Sequence, residues 1–281
     1  MNSVKVLNLQ IDNLSMQEVL ERLQQGVVFT PNVDHLVKLQ KDRLFNEIYD
    51  TADYKLCDSK ILIYAAKFLG SPIREKISGS DFFPAFYEYH RHNLGIKLFL
   101  LGAQPGVAAE AQRRINSKVG REIVVGSYSP PVGFETDAAE CDRIIQMVND
   151  SGATVLAVGV GAPKQEKFIY TYKDRFSTIK IFLAVGATID FEAGQVNRAP
   201  RWASDAGLEW LYRLLSEPKR LWKRYLLDDP MFLWLVLSQK LNRYSEPFRP
   251  LPTQVSPLNL AASDSTRHAL SALNEQVSAA N

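Results

Sequence analysis

Short apolar runs alternate with longer amphipathic segments from residue 4 to residue 185. This alternation predicts an α/β fold, with a Rossmann-like, mostly parallel sheet that carries helices on both faces. The apolar runs predict strands at residues 4–9, 27–30, 54–57, 96–101, 123–126, 154–160 and 179–185. The amphipathic segments predict helices at residues 15–24, 34–50, 60–69, 81–92, 105–119, 137–149 and 163–173.

Glycine-containing turns end several of these strands, in "LFLLGAQPG", "VGVGAPK" and "LAVGATID". Ligands of open α/β sheets bind at the carboxyl ends of the strands, so the rim that holds Gly102 and Gly161 is the candidate site. Gly161 allows a tight exit from a buried strand, and Pro163 suits the first turn of a helix. Such a turn favours an anion or a sugar, and the alternative is an ordinary βα turn with solvated polar side chains.

The composition is that of a globular protein. The 281 residues are 46% hydrophobic and 23% charged, with a net charge of +2, which is too balanced to indicate nucleic-acid binding. Two cysteines make no disulfide framework, and no Cys/His spacing or nucleotide-binding fingerprint predicts a metal or a cofactor. No signal peptide is visible at the N-terminus, and the apolar run at 231–237 is shorter than the ~20 residues that span a bilayer.

The character of the chain changes after the last predicted strand. We predict a catalytic α/β body at residues 1–195, a helical appendage rich in Trp, Leu and Arg at 196–244, and a disordered tail at 245–281.

Basic side chains recur at helical spacing in the appendage. Arg213, Arg220 and Arg224 share one stripe, with leucines and aromatic residues mostly on the other side. This pattern favours an interfacial helix that meets anionic lipid or a lipid-borne phosphate. The alternative is an ordinary amphipathic helix packed on the body.

Polar side chains follow two of the predicted strands. Thr30 and Asn32 stand at the end of one strand, either as turn and capping residues or as ligand contacts, and Asp34 suits the N-cap of the next helix. Asp58 directly follows another strand and precedes an apolar helix. It is either the N-cap of that helix or a general base at the carboxyl edge of the sheet.

Two further segments carry charged candidates. In "REKISGSDFFP", Lys76 and Gly79 lie at a helix start, where positive charge suits phosphate, although surface basic residues are commoner than phosphate ligands. In "GATIDFEAGQVNRAP", Asp190 and Glu192 invite a glycosidase interpretation, and the alternative is a loop that leads into the appendage.

Together these motifs resemble the WecG/TagA/CpsF glycosyltransferases of bacterial cell-surface polymer synthesis, from about residue 3 to about residue 240. The segments that carry the resemblance are "TPN", "CDS", "SGSD", "VGVGAPKQEKFI", "VGATIDFEAGQVNRAPRW" and "GLEWLYRLLSEPKRLWKRYL". Any one of them is weak, but their joint order over most of the chain is specific.

The resemblance implies transfer of a sugar, with inversion and no obligatory metal, from a UDP-sugar such as UDP-N-acetylmannosamine to an undecaprenyl-diphosphate-linked acceptor. It implies that Asp58 is the general base, flanked here by Cys57 and Ser59 where relatives carry an A-D-G type motif. It further implies a cytoplasmic enzyme on the inner face of the cell membrane, and it leaves a homo-oligomer open.

The resemblance also assigns binding residues. Lys76 stands where relatives carry an arginine, which keeps the charge at the donor diphosphate but loses the bidentate fork. Lys164 and Glu166 only frame the turn. The remaining residues match pocket positions or basic positions that close over the active site: Thr30, Asn32 and Gln165 in the pocket, and Arg213, Arg220 and Arg224 in the appendage.

Two rival functions remain at this stage. A glycoside hydrolase would use a carboxylate pair such as Asp58 and Asp190 and would release free sugar without a nucleotide. A non-catalytic peripheral membrane module would bind a lipid-linked sugar and would tolerate replacement of Asp58.

Overall fold

A sheet of six parallel strands forms the centre of the molecule. The structure is a computed structural model that describes residues 3–196, 200, 203, 208–216, 218–223 and 229–248. The strands of the sheet are β3 Gly26–Phe29, β4 Tyr54–Lys55, β5 Leu98–Gly102, β6 Val124–Tyr128, β7 Val155–Gly159 and β8 Ile181–Ala184. Their order across the sheet is β4-β3-β8-β7-β5-β6, and every neighbouring pair is parallel, which confirms the predicted fold class.

Helices follow the strands throughout the described part of the chain. In the body they are α1 Met16–Arg22, α2 Val33–Lys38, α3 Arg43–Asp50, α4 Lys60–Leu69, α5 Gly79–Tyr89, α6 Val107–Val119, α7 Ala138–Asp150, α8 Lys164–Tyr172 and α9 Thr188–Glu192. Toward the C-terminus they are α10 Glu209–Ser216, α11 Pro218–Lys223 and α12 Pro230–Lys240.

Both faces of the sheet are buried, because alternate side chains of each strand enter two different cores. In β5, Leu98 and Leu100 pack into a core shared with α1, α5 and α6. Phe99 and Leu101 pack into the other core, which α2, α3, α4, α7 and α8 complete. This double burial explains why the strands read as continuous apolar runs.

The predicted first strand, at residues 4–9, is a hairpin instead. It consists of β1 Ser3–Val6 and β2 Leu9–Asp12, paired antiparallel. Leu7 has a φ of 55°, a left-handed backbone conformation that reverses the chain, and its side chain is fully buried. The apolar run therefore continues across a turn that hydrophobicity alone could not reveal.

The helix predicted at residues 34–50 is also divided. Asp42 has an extended backbone, with φ −112° and ψ 102°, so the helix cannot run through it. Its side chain accepts the backbone N–H of Phe45 at 3.0 Å and caps α3. A further short helix, α9, lies in the segment predicted as a connecting loop.

The last described helix is tied to the body. Helix α12 packs against α2 and α4, and its Phe232 is fully buried. Beyond its middle, Gln239 Oε1 accepts the backbone N–H of Leu7 at 2.8 Å, and Tyr244 donates to Gln40 at 2.7 Å. Met1–Pro247 belong to one compact unit. Of the tail predicted at 245–281, residues 245–248 are described, and Glu246 forms an ion pair with Lys5 at 2.6 Å. Residues 249–281 lie outside the described residues.

Candidate active site

A cleft of about 650 Å³ opens at the carboxyl edge of the sheet. Thr30 after β3, Asp58 after β4, Gly161 after β7 and Gly186 after β8 all line it. The loops that follow four neighbouring strands therefore meet at one place, which is the rim that the glycine-containing turns predict.

Helices α4, α5 and α12 also start at this edge: α4 follows β4, and α5 and α12 come after other helices. Ser59 and Lys60 at the start of α4, Gly79 at the start of α5 and Pro230 at the start of α12 line the cleft. The positive ends of these helix dipoles therefore lie at the cleft. The cleft suits an anionic ligand.

Asp58 lies on the wall of this cleft and does not cap α4. The N-cap is Ser59, whose hydroxyl accepts the backbone N–H groups of Ile61 at 3.2 Å and Leu62 at 3.4 Å. The backbone N–H of Asp58 donates to Pro31 at 2.9 Å, which joins the ends of β3 and β4. The capping interpretation of Asp58 is therefore wrong, and Asp58 is one of the residues that line the cleft.

Asn32 caps the next helix and lines the cleft. Its side-chain oxygen accepts the backbone N–H of His35 at 3.3 Å, so Asn32 takes the capping role predicted for Asp34. Asp34 instead forms an ion pair with Lys38 at 2.7 Å, one helical turn later. Thr30, Asp34 and Lys38 also line the cleft, which gives this wall both polar and charged groups.

Lys76 brings positive charge to the cleft. It lines the cleft, is largely buried, and lies 3.9 Å from the carboxylate of Asp81. Gly79 also lines the cleft, and a Cβ at this position would lie 3.3 Å from the carbonyl oxygen of Val185, which favours glycine here. Arg74, the other basic residue of this segment, pairs with Glu18 and is not among the residues that line the cleft.

The turn after β7 contributes Gly161 and Gln165. Gly161 has a φ of 86° and faces open space, so glycine is required by its backbone conformation. The side-chain oxygen of Gln165 accepts the backbone N–H of Gly186 at 3.1 Å, and its Nε2 donates to Glu166 at 2.8 Å. Lys164 points elsewhere, toward an ion pair with Glu135.

Some predicted residues lie outside the cleft lining. Gly102 ends β5 beside Gly159, and a Cβ there would lie 2.4 Å from the Gly159 carbonyl oxygen, so close strand packing accounts for the glycine. Asp190 does not line the cleft, and Glu192 accepts a hydrogen bond from Tyr87 at 2.8 Å.

The structure does not describe the side chains of the three appendage arginines that are predicted to bind phosphate. The side chains of Arg213 in α10 and Arg220 in α11 are not among those described, and Arg224 lies outside the described residues altogether. Their predicted contacts with phosphate therefore stay predictions.

A buried polar network behind the cleft escaped the sequence analysis. His35 Nδ1 lies 2.5 Å from the hydroxyl of Tyr49, and both side chains are buried beside the cleft wall. Burial raises the pKa of Tyr49 well above its usual value, and the charges of Glu166, Asp58 and Asp34 add to the effect. His35 and Tyr49 lie on different helices, so only the fold brings them together. The sequence offered one local signal in this region, the four-residue spacing of Asp34 and Lys38, which predicts an ion pair on one face of a helix.

No group of three or more His, Cys, Asp or Glu side chains among the described residues is arranged to hold a metal ion. None of the helices in the described part combines the length and the apolar character of a membrane span.

A comparison with protein-family models gives one match. The model described as the Glycosyl transferase WecG/TagA/CpsF family matches residues 4–246. The matched range contains the whole sheet, every described residue of the cleft and helix α12.

Proposed function

The chain belongs to the WecG/TagA/CpsF glycosyltransferase family, and from this premise we propose that it moves a sugar from a UDP-sugar to an undecaprenyl-diphosphate-linked acceptor. N-acetylmannosamine or a related sugar is the proposed donor group. The observation that carries the proposal is the cleft, where helix N-termini and lysines meet the carboxylate of Asp58, which directly follows β4 and does not cap α4. Among the described residues, two further carboxylates line the cleft: Asp34, which pairs with Lys38, and Asp229.

The electrostatics of the cleft suit a nucleotide diphosphate. Lys60 and Lys76 line it together with the first turns of α4 and α5. A third lysine, Lys38, is neutralised by its ion pair with Asp34. A diphosphate gains from fixed N–H groups and cations in a partly enclosed site, where charges are weakly screened.

Asp58 acts as the general base of a single displacement. Its carboxylate accepts the proton of an acceptor hydroxyl while that oxygen forms a bond to the anomeric carbon of the donor. The bond from the anomeric carbon to the diphosphate breaks, and its electron pair leaves with UDP. One displacement inverts the configuration of the anomeric carbon.

The negative charge that develops on the departing UDP needs stabilisation. We assign this role to Lys76 and the helix N-termini, together with Arg213, Arg220 and Arg224 of the C-terminal segment. Transfer is then expected to persist in EDTA, and activity that requires added Mg²⁺ or Mn²⁺ would contradict the assignment.

An exposed apolar surface beside the cleft supports docking on the inner face of a membrane. Tyr64 and Phe68 of α4 and Leu233, Trp234 and Leu237 of α12 are each roughly half exposed or more, and we call this set the apolar ridge. The two helices pack together, and the Lys240 ammonium lies 5.4 Å from the centroid of the Phe68 ring.

The charged residues within the two helices of the apolar ridge are all basic. Helices α4 and α12 contain three lysines, Lys60, Lys67 and Lys240, and no Asp or Glu. Apolar side chains flanked by lysine match a surface of anionic lipid. Because Lys60 and Leu233 also line the cleft, a membrane beneath the ridge would bring a lipid-linked acceptor to its mouth.

The glycoside hydrolase alternative has less support. It requires two carboxyl groups that flank one bond, and of the predicted pair Asp58 lines the cleft whereas Asp190 does not. Of the other carboxylates in the described lining, Asp34 is held in an ion pair with Lys38, and Asp229 lies directly before α12.

A donor panel tests the proposed function. The full chain is incubated with UDP-sugars, including UDP-N-acetylmannosamine and UDP-glucose, and a short-chain prenyl-diphosphate saccharide acceptor. We expect one donor to give a glycolipid extended by a single sugar, with release of UDP. Binding of the acceptor without an extended product from any donor would favour the non-catalytic membrane module.

A further inference from the structure

Glu166 is a fully buried carboxylic acid next to the cleft. It follows Gln165 in the first turn of α8, and the cleft is lined by Gln165 and not by Glu166. Its Oε1 accepts a hydrogen bond from Gln165 Nε2 at 2.8 Å, and its Oε2 has no hydrogen-bond partner within the described part of the chain. Burying a half-satisfied carboxyl group is costly, so this placement calls for an explanation beyond core packing.

The hydrogen bonds around Gln165 fix the orientation of its amide. The backbone N–H of Gly186 can only donate, so the atom it meets at 3.1 Å must be the amide oxygen. The ionised carboxylate of Glu166 can only accept, so it must meet the amide nitrogen. Both partners select the same orientation. Oε1 is turned to the backbone of Gly186, and Nε2, which meets Glu166 with one N–H, carries a second N–H.

We infer that Glu166 is a positioning residue, which holds the Gln165 amide so that it presents an N–H donor to an oxygen of the donor sugar or its diphosphate. The inference rests on the proposed function for the identity of the ligand. Glu166 itself touches no substrate and acts through Gln165. A carboxylate suits this task better than a neutral group, because it strengthens the hydrogen bond and excludes the flipped amide.

The surroundings of Glu166 make its hydrogen bond with the Gln165 amide sensitive to pH. Burial raises the pKa of Glu166 to about 7, against the opposing effect of the hydrogen bond from Gln165. From α2, the charge of Lys38 lowers this pKa and that of Asp34 raises it. From α3, Tyr49 faces the same charge, and burial keeps that phenol neutral. Glu166 is therefore ionised above about pH 7 and is protonated below it.

The interaction between Glu166 and the Gln165 amide can be tested directly, by a measurement that needs no ligand. In ¹⁵N NMR spectra, the side-chain amide of Gln165 is assigned by its loss in Gln165→Ala. We expect its signals to shift with a midpoint near pH 7 in the wild type and to be independent of pH in Glu166→Gln, which keeps an acceptor oxygen but cannot titrate. A wild-type Gln165 amide that does not respond across this range would overturn the inference.

A double-mutant cycle on donor affinity then separates positioning from general structure. Glu166→Leu is expected to weaken binding of the UDP-sugar roughly tenfold, the size of one hydrogen bond, whereas Glu166→Gln keeps an acceptor oxygen and is expected to weaken binding less. In the Gln165→Ala background the further change Glu166→Leu should have no effect on affinity. Full additivity of the two changes would show that Glu166 does not act through Gln165.

The outcomes remain distinguishable from failure of the proposed function. If the wild type makes no glycolipid while its Gln165 amide titrates as expected, the proposed function fails and the positioning role stands. If glycolipid forms and the amide does not respond, the reverse holds. Should Glu166→Leu fail to fold, the comparison of Glu166→Gln with the wild type still decides the question.

Discussion

At the residue scale, Asp58 and Ser59 are neighbours in the sequence that have clearly different roles. Ser59 satisfies the backbone at the start of α4, and Asp58 lines the cleft without taking that role. A residue that caps a helix contributes to stability, whereas a general base contributes to the rate of the chemical step. Substitutions at these two positions are therefore expected to have opposite effects.

Asp58→Asn keeps the size of the side chain but removes the proton acceptor. We expect turnover to fall by about 10² to 10⁴, the range of a positioned general base, with donor affinity largely unchanged. Steady-state transfer rates and calorimetric titration with the UDP-sugar measure the two quantities. An Asn variant with full turnover would remove Asp58 from the mechanism.

The candidate site was predictable from sequence where residues directly follow strands. Thr30, Asn32 and Asp58 were found in this way, because the carboxyl ends of parallel strands meet at one edge. Glu166 was read as framing the turn, and the fold buries it completely. Sequence shows that a residue is polar, but only the packing of α8 on the sheet shows that it is buried.

At the scale of elements, the strands were predicted better than the interruptions between helices. Burial on both faces gives each strand an unbroken apolar run, which is visible in the sequence. The break between α2 and α3 depends on the backbone of Asp42, and the first hairpin depends on a left-handed Leu7. Aspartate also occurs within helices and leucine within strands, so neither residue type by itself predicts that the helix or the strand is interrupted there.

Ser59→Ala provides the stability counterpart to Asp58→Asn. Loss of an N-cap costs about 1 kcal/mol, so the midpoint of urea unfolding should fall while transfer activity is largely kept. Asp58→Asn is the matched control, with unfolding close to that of the wild type. If Asp58→Asn destabilised the protein as much as Ser59→Ala does, the division of roles between these neighbours would be wrong.

Helix α12 carries the prediction about the membrane. Trp234→Ala removes a large exposed side chain of the apolar ridge and is expected to weaken binding to vesicles that contain anionic lipid, with little change in stability. Leu94 is a matched control, because it is similarly exposed but precedes β5 at the opposite, amino edge of the sheet. Co-sedimentation of Trp234→Ala and Leu94→Ala to the same extent would argue against the ridge as the docking surface.

At the scale of the whole molecule, the parallel α/β architecture followed from the order of apolar and amphipathic segments. The strand order did not, because β8 lies between β7, the strand directly before it in the sequence, and β3, which comes far earlier in the chain. That insertion places Gly186 between Thr30 and Gly161 at the carboxyl edge, and it completes the cleft.

Glu166 also affects the global stability as a function of pH. Its pKa is about 7 in the folded protein against an ordinary value of 4.5, so the folded state binds the proton more tightly. Stability is therefore highest below pH 4.5 with respect to this group and falls as the pH rises toward 7, by on the order of 3 kcal/mol. Urea unfolding at pH 5 and pH 8 should show a smaller difference in Glu166→Gln than in the wild type. An equal difference in both proteins would place the pKa of Glu166 near its ordinary value.

The configuration of the product tests the central claim most directly, because a single displacement with Asp58 as the base inverts the anomeric carbon. An α-linked UDP-sugar and a prenyl-diphosphate saccharide acceptor are converted by the full chain, and the new linkage is read from its anomeric coupling in NMR spectra. We predict a β-linked glycolipid, with one UDP released for each sugar transferred. A retained α-linkage would contradict the account, and so would free sugar as the main product in place of glycolipid.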